Sequence, residues 1–293
     1  MITRPFGNTG LSCSALGFGA GHAGSPLTTE DEASALLNAA LDCGITLVDT
    51  APGYGLAEER IGRHLAHRRG DFVLVSKCGY GVPGIPDWTP ECIRLGVEQA
   101  LRRMRTDVID VMVFHSCPAA TLDTPGLVEA LVRCVEAGKV RVAGYSGENE
   151  NLDRAMREAG LRAFETSVSL FDQRGLWRAL PTLRRRGAGV IAKRPIGNAP
   201  WRFRDCPRGD YAEPYWWRMK AMGLQPPEGM AWDEYALRFT LSHEGIATAI
   251  VGTSRIGNLR RNAEIASRGG LPAEVVETAM AAFVAHHQWD GQV

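Results

Sequence analysis

Short apolar runs punctuate this chain, and the stretches between them are amphipathic. Runs near Leu16–Gly19, Thr46–Asp49, Val73–Lys77 and Val108–His115 are rich in β-branched residues and do not alternate. Four more fall near Val140–Ser146, Phe164–Leu170, Gly189–Lys193 and Thr248–Gly252. Unbroken apolarity over such lengths is the pattern of strands covered on both faces. Between them the period lengthens to that of a helix. Thr28-Thr29-Glu30-Asp31 opens one helix as a capping sequence, and Thr89-Pro90-Glu91 opens another with Pro at the first helical position. Thr124-Pro125 does the same for a helix running to Ala137, which Gly138 ends.

Residues 2–14 read as a hairpin turning at Asn8-Thr9-Gly10, and a further helix follows Pro272. Eight strand–helix units in series predict an α/β protein, a closed parallel (β/α)8 TIM barrel with an N-terminal β-hairpin and an extra C-terminal helix. No repeat or linker divides the chain, so residues 1–293 read as one domain. The main irregularity is 198–229, far longer than an ordinary βα loop, which suggests a lid or substrate loop. Its aromatics Trp201, Tyr211, Tyr215, Trp216 and Trp217 either cover a planar ligand or pack as a short helix.

The chain has 293 residues, enough for one such barrel. Lys plus Arg equals Asp plus Glu at 33 each, so no global field recruits nucleic acid or an anionic membrane. Arg102, Arg103 and Arg105, and Arg184 to Arg186, sit near expected helix ends, where cations suit the helix dipole. The seven cysteines form no CxxC pair, which argues against a disulfide framework and against a metal site, and favours a reducing compartment. With neither a signal-peptide pattern nor an apolar stretch of membrane-spanning length, the expected location is cytoplasmic.

The candidate chemistry lies at strand ends. Asp49, Tyr54, Lys77 and His115 each stand at or just past the C-terminal end of an expected strand, where a parallel barrel assembles its pocket. A phenol of ordinary pKa near 10 is a poor proton donor at neutral pH. A neighbouring ammonium favours the phenolate, and a carboxylate beside the ammonium keeps it charged and oriented. The grouping reads as a proton-transfer site; a Schiff-base role for Lys77 would leave Tyr54 unexplained. Gly19-Ala20-Gly21-His22-Ala23-Gly24 satisfies the dinucleotide pattern GxGxxG, but Ser25-Pro26-Leu27 separates it from the helix that must begin within it. Those glycines are better read as letting a loop pass close to the pocket floor.

Six segments in order resemble the aldo-keto reductase family: RPFGNTGLSCSALGFG, LVDTAPGYGLAEERIGRHL, LVSKCG, DVMVFHS, EAGKVRVAGYSGEN and VGTSRIGNLRRNAEIA. The resemblance covers nearly the whole chain. It implies a barrel that reduces carbonyls with a nicotinamide cofactor, usually NADPH. By position, Tyr54 would protonate the carbonyl oxygen, Lys77 and Asp49 would depress its pKa, and His115 would orient and polarise the carbonyl.

The resemblance also places Ser146 against the nicotinamide carboxamide, although Gly147 replaces the asparagine that commonly follows. Glu165 falls where a glutamine is frequent, and Lys193 replaces a stacking tyrosine. Gly19 and the segment Gly252-Thr253-Ser254-Arg255 complete the cofactor set with Asn262, the family's adenine contact. The helix that follows Arg255 offers free N–H groups to a phosphate, and Arg255 could grip a 2′-phosphate, favouring NADP while leaving NAD possible. Loops 79–88, 116–124 and 198–229 would shape a small carbonyl or alcohol substrate, with His22, Trp88 and Trp201 as candidates for its wall. The alternative is a cofactor-binding sensor or regulatory subunit with little turnover.

Overall fold

The computed structural model describes residues 1–286 and 289–292. The hairpin forms as expected: β1 (Thr3–Pro5) pairs antiparallel with β2 (Ser12–Ser14). Eight parallel strands then close a barrel. They are β3 (Leu16–Gly19), β4 (Leu47–Asp49), β5 (Val73–Cys78), β6 (Ile109–His115), β7 (Val140–Ser146), β8 (Ala163–Ser167), β9 (Gly189–Lys193) and β10 (Thr248–Val251). Each pairs with its neighbour in sequence, and β10 pairs with β3 to complete the ring. A Rossmann unit is thereby excluded. The 19–24 glycine run leaves β3 and enters a 3-10 turn at His22–Gly24, not a helix.

The outer layer comprises α1 (Glu30–Asp42), α2 (Ala57–His64), α3 (Pro90–Met104), α4 (Ala119–Leu122), α5 (Leu127–Glu136), α6 (Asn149–Ala155), α7 (Arg174–Arg178), α8 (Leu180–Arg185), α9 (Glu213–Met222), α10 (Trp232–Leu241), α11 (Ile256–Ser267) and α12 (Ala273–Val284). Thr29 caps α1 in a reciprocal capping box with Glu32, and Thr89 caps α3 ahead of Pro90. One large apolar cluster fills the space between strands and helices. A second fills the barrel, where Phe6 and Cys13 from the hairpin join Val75, Val111, Val113 and Ile191. The hairpin thus belongs to the barrel's core and is packed as a plug.

Two expectations are corrected. The sixth barrel strand ends at Ser167, short of Leu170. Leu170 and Phe171 are fully buried, which mimics a strand in sequence. They lie in a turn closed by its own hydrogen bonds, with Ser169 and Asp172 exchanging backbone bonds and Gln173 Nε2 donating to the Leu170 carbonyl at 3.1 Å. The helix expected from Thr124-Pro125 begins only at Leu127, because the short α4 comes first and Gly126, at φ +80°, redirects the chain. Its C-terminal end is as expected, with Gly138 at φ +74°.

The 198–229 stretch carries α9. Tyr215 is buried there, and the Trp216 indole donates to the Phe203 carbonyl at 3.1 Å. The packed reading therefore holds for Tyr215 and Trp216, while Tyr211 and Trp217 face solvent.

Candidate active site

The strands supply the site by where they stop. Asp49 ends β4, Lys77 is the penultimate residue of β5, His115 ends β6, Ser146 ends β7 and Lys193 ends β9. His115 pairs in register with Ser146, and Ser146 with Glu165 of β8, so these three residues share one row at the C-terminal mouth.

At the centre is a buried ion cluster. Lys77 Nζ donates to Asp49 Oδ1 at 2.6 Å and to the Thr50 carbonyl at 3.0 Å, and lies 3.5 Å from Glu165 Oε2. All three side chains are about 2% exposed. Two carboxylates flanking one ammonium cannot both be fully compensated. Burial, then the like charge of Glu165, push Asp49 up to about 7 against the pull of Lys77. Burial works to raise Glu165 too, but the charges of Lys77 and Lys193 outweigh it and leave it below the usual carboxylate range. For Lys77, burial opposes the charge while Asp49 and Glu165 favour it, and the ammonium persists.

Tyr54 stands on the loop after β4, its ring centroid 5.2 Å from Lys77 Nζ. The glycine run makes room for it. A Cβ on Gly24 would lie 1.8 Å from the Tyr54 carbonyl oxygen, and the Leu56 amide donates to the Gly24 carbonyl at 2.9 Å. Buried Arg60 fastens the same loop by donating to the carbonyls of Ala23, Ser25 and Thr28 and to Glu30. The expected net depression of the Tyr54 pKa is not found. Burial raises it to about 12, Lys77 opposes that rise, and Asp49 and Glu165 add to it. Desolvation outweighs one neighbouring ammonium that is itself shared with two carboxylates.

His115 meets the Tyr54 ring edge-on at 5.9 Å. Burial, then the Lys77 charge, lower its pKa to about 4, so the ring is neutral at pH 7. On its other side lies a residue the sequence reading missed. Tyr80 Oη is 2.5 Å from His115 Nδ1, with the rings stacked at 5.5 Å. The one available signal was a second phenol three residues beyond Lys77. Glu148 was missed as well. It accepts from Thr166 Oγ1 at 2.6 Å and from the Ser167 amide at 2.9 Å, and pairs with Lys193 Nζ at 3.2 Å. Lys193 thus meets an acid two residues beyond Ser146.

Among the residues expected to hold a cofactor, Ser146 Oγ and Glu165 Oε2 are buried with no hydrogen-bond partner. The backbones of Gly19 and Gly252 run side by side, since a Cβ on Gly19 would lie 3.5 Å from the Gly252 nitrogen. Thr253 Oγ1 accepts from the Arg255 amide at 3.1 Å, Ser254 is exposed, and Asn262 is buried in α11. Arg255 is exposed at the start of α11, with no ion pair among the described residues.

The three substrate-wall candidates part company. The His22 ring lies against Gly252, with its Cδ2 3.4 Å from where a Gly252 Cβ would be. Trp88 packs against Tyr80 at 6.2 Å and so borders the tetrad. Trp201 stacks on Trp232 at 5.8 Å and 9°, which spends one face of its ring on packing. Among the described residues, no cluster of three His, Cys, Asp or Glu could hold a metal ion. Nor is any helix long and apolar enough to cross a membrane.

Comparison with known proteins places the chain in a family. The family model for the aldo/keto reductase family matches residues 15–282. L-galactose dehydrogenase of Arabidopsis thaliana is 28% identical over 278 residues, 88% of this chain and 86% of that one. D-threo-aldose 1-dehydrogenase of a Pseudomonas species is 28% identical over 314 residues, covering 92% and 95%. The holo form of an aldo-keto reductase from Bacillus halodurans superposes with a TM-score of 0.83 at 26% identity, over 96% of each chain. With a model of the family matched from the first barrel strand to the last helix, this chain belongs to the aldo/keto reductase family.

Proposed function

We propose that this single-barrel protein interconverts an aldehyde or ketone and its alcohol, with NADPH as the preferred cofactor and Tyr54 as the general acid. Nicotinamide-dependent carbonyl reduction is the reaction of the family. The observation that carries the residue assignment is the convergence of Tyr54, neutral His115 and the buried Lys77–Asp49 pair on one barrel mouth.

The residues at the mouth fit the cofactor. Ser146 Oγ and Glu165 Oε2 are a buried hydroxyl and a buried carboxylate oxygen with no hydrogen bond made, although Lys77 lies 3.5 Å from the latter, and they suit the oxygen and the NH2 of a carboxamide. Gly252 to Arg255 lead into α11, whose first-turn N–H groups favour a phosphate, and unpaired Arg255 suits a 2′-phosphate. Bound nicotinamide supplies the hydride in reduction and accepts it in oxidation.

Tyr54 gives its hydroxyl proton to the carbonyl oxygen as charge develops there. The resulting phenolate is stabilised by Lys77, whose ammonium is fixed by Asp49 and the Thr50 carbonyl. His115, uncharged, holds the carbonyl oxygen by a hydrogen bond. Lys193 is paired with Glu148, which offsets part of its charge at the nicotinamide end. The 198–229 segment serves the substrate side. Its exposed Tyr211 and Trp217, with Arg194 and Asn198, line a separate pocket of about 440 Å³ to which Tyr54, Lys77 and His115 do not contribute.

The test is NADPH oxidation with nitrobenzaldehyde and a panel of ketones and quinones, plus aldose oxidation, because two relatives are named as sugar dehydrogenases. Tyr54→Phe is expected to lower kcat by about 10²–10⁴ while still binding NADPH. A fully active Tyr54→Phe would remove Tyr54 from its role. Tight NADPH binding without turnover on any substrate would point instead to a cofactor sensor.

A further inference from the structure

His115 is held between two phenols, and only one of them belongs to the expected tetrad. Tyr54 approaches edge-on, with an interplanar angle of 87°. Tyr80 lies nearly parallel to the imidazole at 29°, with its hydroxyl oxygen 2.5 Å from Nδ1. That is a hydrogen bond to one named ring nitrogen. A neutral imidazole has one N–H and one bare nitrogen, and the partner of the first nitrogen decides what the second can do.

We infer that Tyr80 is a positioning residue: its hydroxyl donates to His115 Nδ1 and so holds the ring as the Nε2–H tautomer, whose free N–H faces the substrate carbonyl. This deepens the function proposed above and rests on it for the identity of the carbonyl, though the tautomer itself does not depend on turnover.

The direction of the bond follows from the two partners. A bare imidazole nitrogen is a better acceptor than a phenol oxygen. Burial, foremost, raises the Tyr80 pKa above its ordinary value, so the phenol keeps its proton to donate. Among the described residues, Tyr80 Oη has no other hydrogen-bond partner. Were Nδ1 the donor instead, Nε2 would be bare and would repel a carbonyl oxygen through its lone pair. Lys77 reinforces the neutral state, since its charge opposes a second proton on the ring.

The surrounding loop is built to hold Tyr80 there. The Trp88 amide donates to the Gly79 carbonyl at 2.7 Å, and the Gly81 amide donates to Asp87 Oδ1 at 3.0 Å, closing the 79–88 loop on itself. Trp88 then packs on the free side of the Tyr80 ring. Gly53, beside Tyr54, leaves the hydroxyl its place, for a Cβ at that position would stand 3.0 Å from it. The loop flanking the substrate side is thereby coupled to the protonation pattern of the ring that grips the carbonyl.

The experiment is ¹⁵N–¹H correlation spectroscopy of histidine-labelled protein near pH 7, with the His115 signals identified by their loss in His115→Asn. The wild type is expected to show Nε2 protonated and Nδ1 bare. Tyr80→Phe keeps the ring stack and removes only the hydroxyl, and is expected to mix the two tautomers. The same variant should lower kcat by about threefold to tenfold, the population effect of one neutral hydrogen bond, with NADPH affinity unchanged. A wild-type spectrum with the proton on Nδ1 overturns the inference, and it does so even if Tyr80→Phe fails to fold. An unchanged tautomer in Tyr80→Phe overturns it too. Failure of the function proposal reads differently, as full activity in Tyr54→Phe.

Discussion

Lys77→Met isolates the electrostatics of the barrel mouth. The lysine stem is fully buried and methionine nearly matches its volume, so the cavity contribution is small. What is lost is the charge that compensates Asp49 at 2.6 Å and Glu165 at 3.5 Å. Removing one partner of a buried pair typically costs about 3–5 kcal/mol, because the other charge is left uncompensated. For a chain of this size that corresponds to a fall in Tm of roughly 6–20 °C.

The variant should also respond to pH with a definite sign. Asp49 already has a folded-state pKa of about 7, above its unfolded value, and loses its attractive partner in the variant. A carboxyl raised in the folded state favours folding below its unfolded pKa, and that contribution disappears as pH rises through the folded pKa. The Asp49 share of the deficit should therefore be smallest near pH 5 and largest near pH 8, while the Glu165 share persists across that range. Adding Asp49→Asn to Lys77→Met should recover part of it, and not all, because Glu165 remains. The assay is thermal and urea unfolding followed by tryptophan fluorescence from pH 5 to pH 8. A single variant that melts with wild type at every pH, or a double variant less stable than the single one, would refute the compensation argument.

Two further outcomes are expected. Arg60→Met should lower stability by about 2–4 kcal/mol, since three carbonyls and Glu30 lose a buried guanidinium; it should also lower kcat by loosening the loop under Tyr54, and full activity with an unchanged melting temperature would refute the bracing role. Arg255→Ala should weaken NADPH binding much more than NADH binding, measured by fluorescence titration, and equal losses for both would refute the 2′-phosphate contact.

Much of the architecture was legible in the chain. Short non-alternating apolar runs fix buried parallel strands, and amphipathic stretches fix the helices around them, because both patterns are set by residues close in sequence. Asp49, Lys77 and His115 could be placed on one rim by counting where the runs end. The same local logic failed at Leu170 and Phe171, whose burial comes from tertiary packing of a turn, and at Thr124-Pro125, where a capping sequence was overridden by the left-handed Gly126.

The electrostatic character of the site belongs to the tertiary structure alone. Asp49 and Lys77 are 28 residues apart, and Tyr80 and His115 are 35 apart. Whether such groups touch depends on barrel curvature and loop closure, which no local pattern encodes. The sequence could say that a phenol, an ammonium and a carboxylate share a mouth. Folding decided that Lys77 is divided between two carboxylates, and that burial therefore raises the Tyr54 pKa. It also decided that a fifth residue, Tyr80, hydrogen-bonds the imidazole, because the strength and direction of charge interactions depend on distance and solvent exclusion.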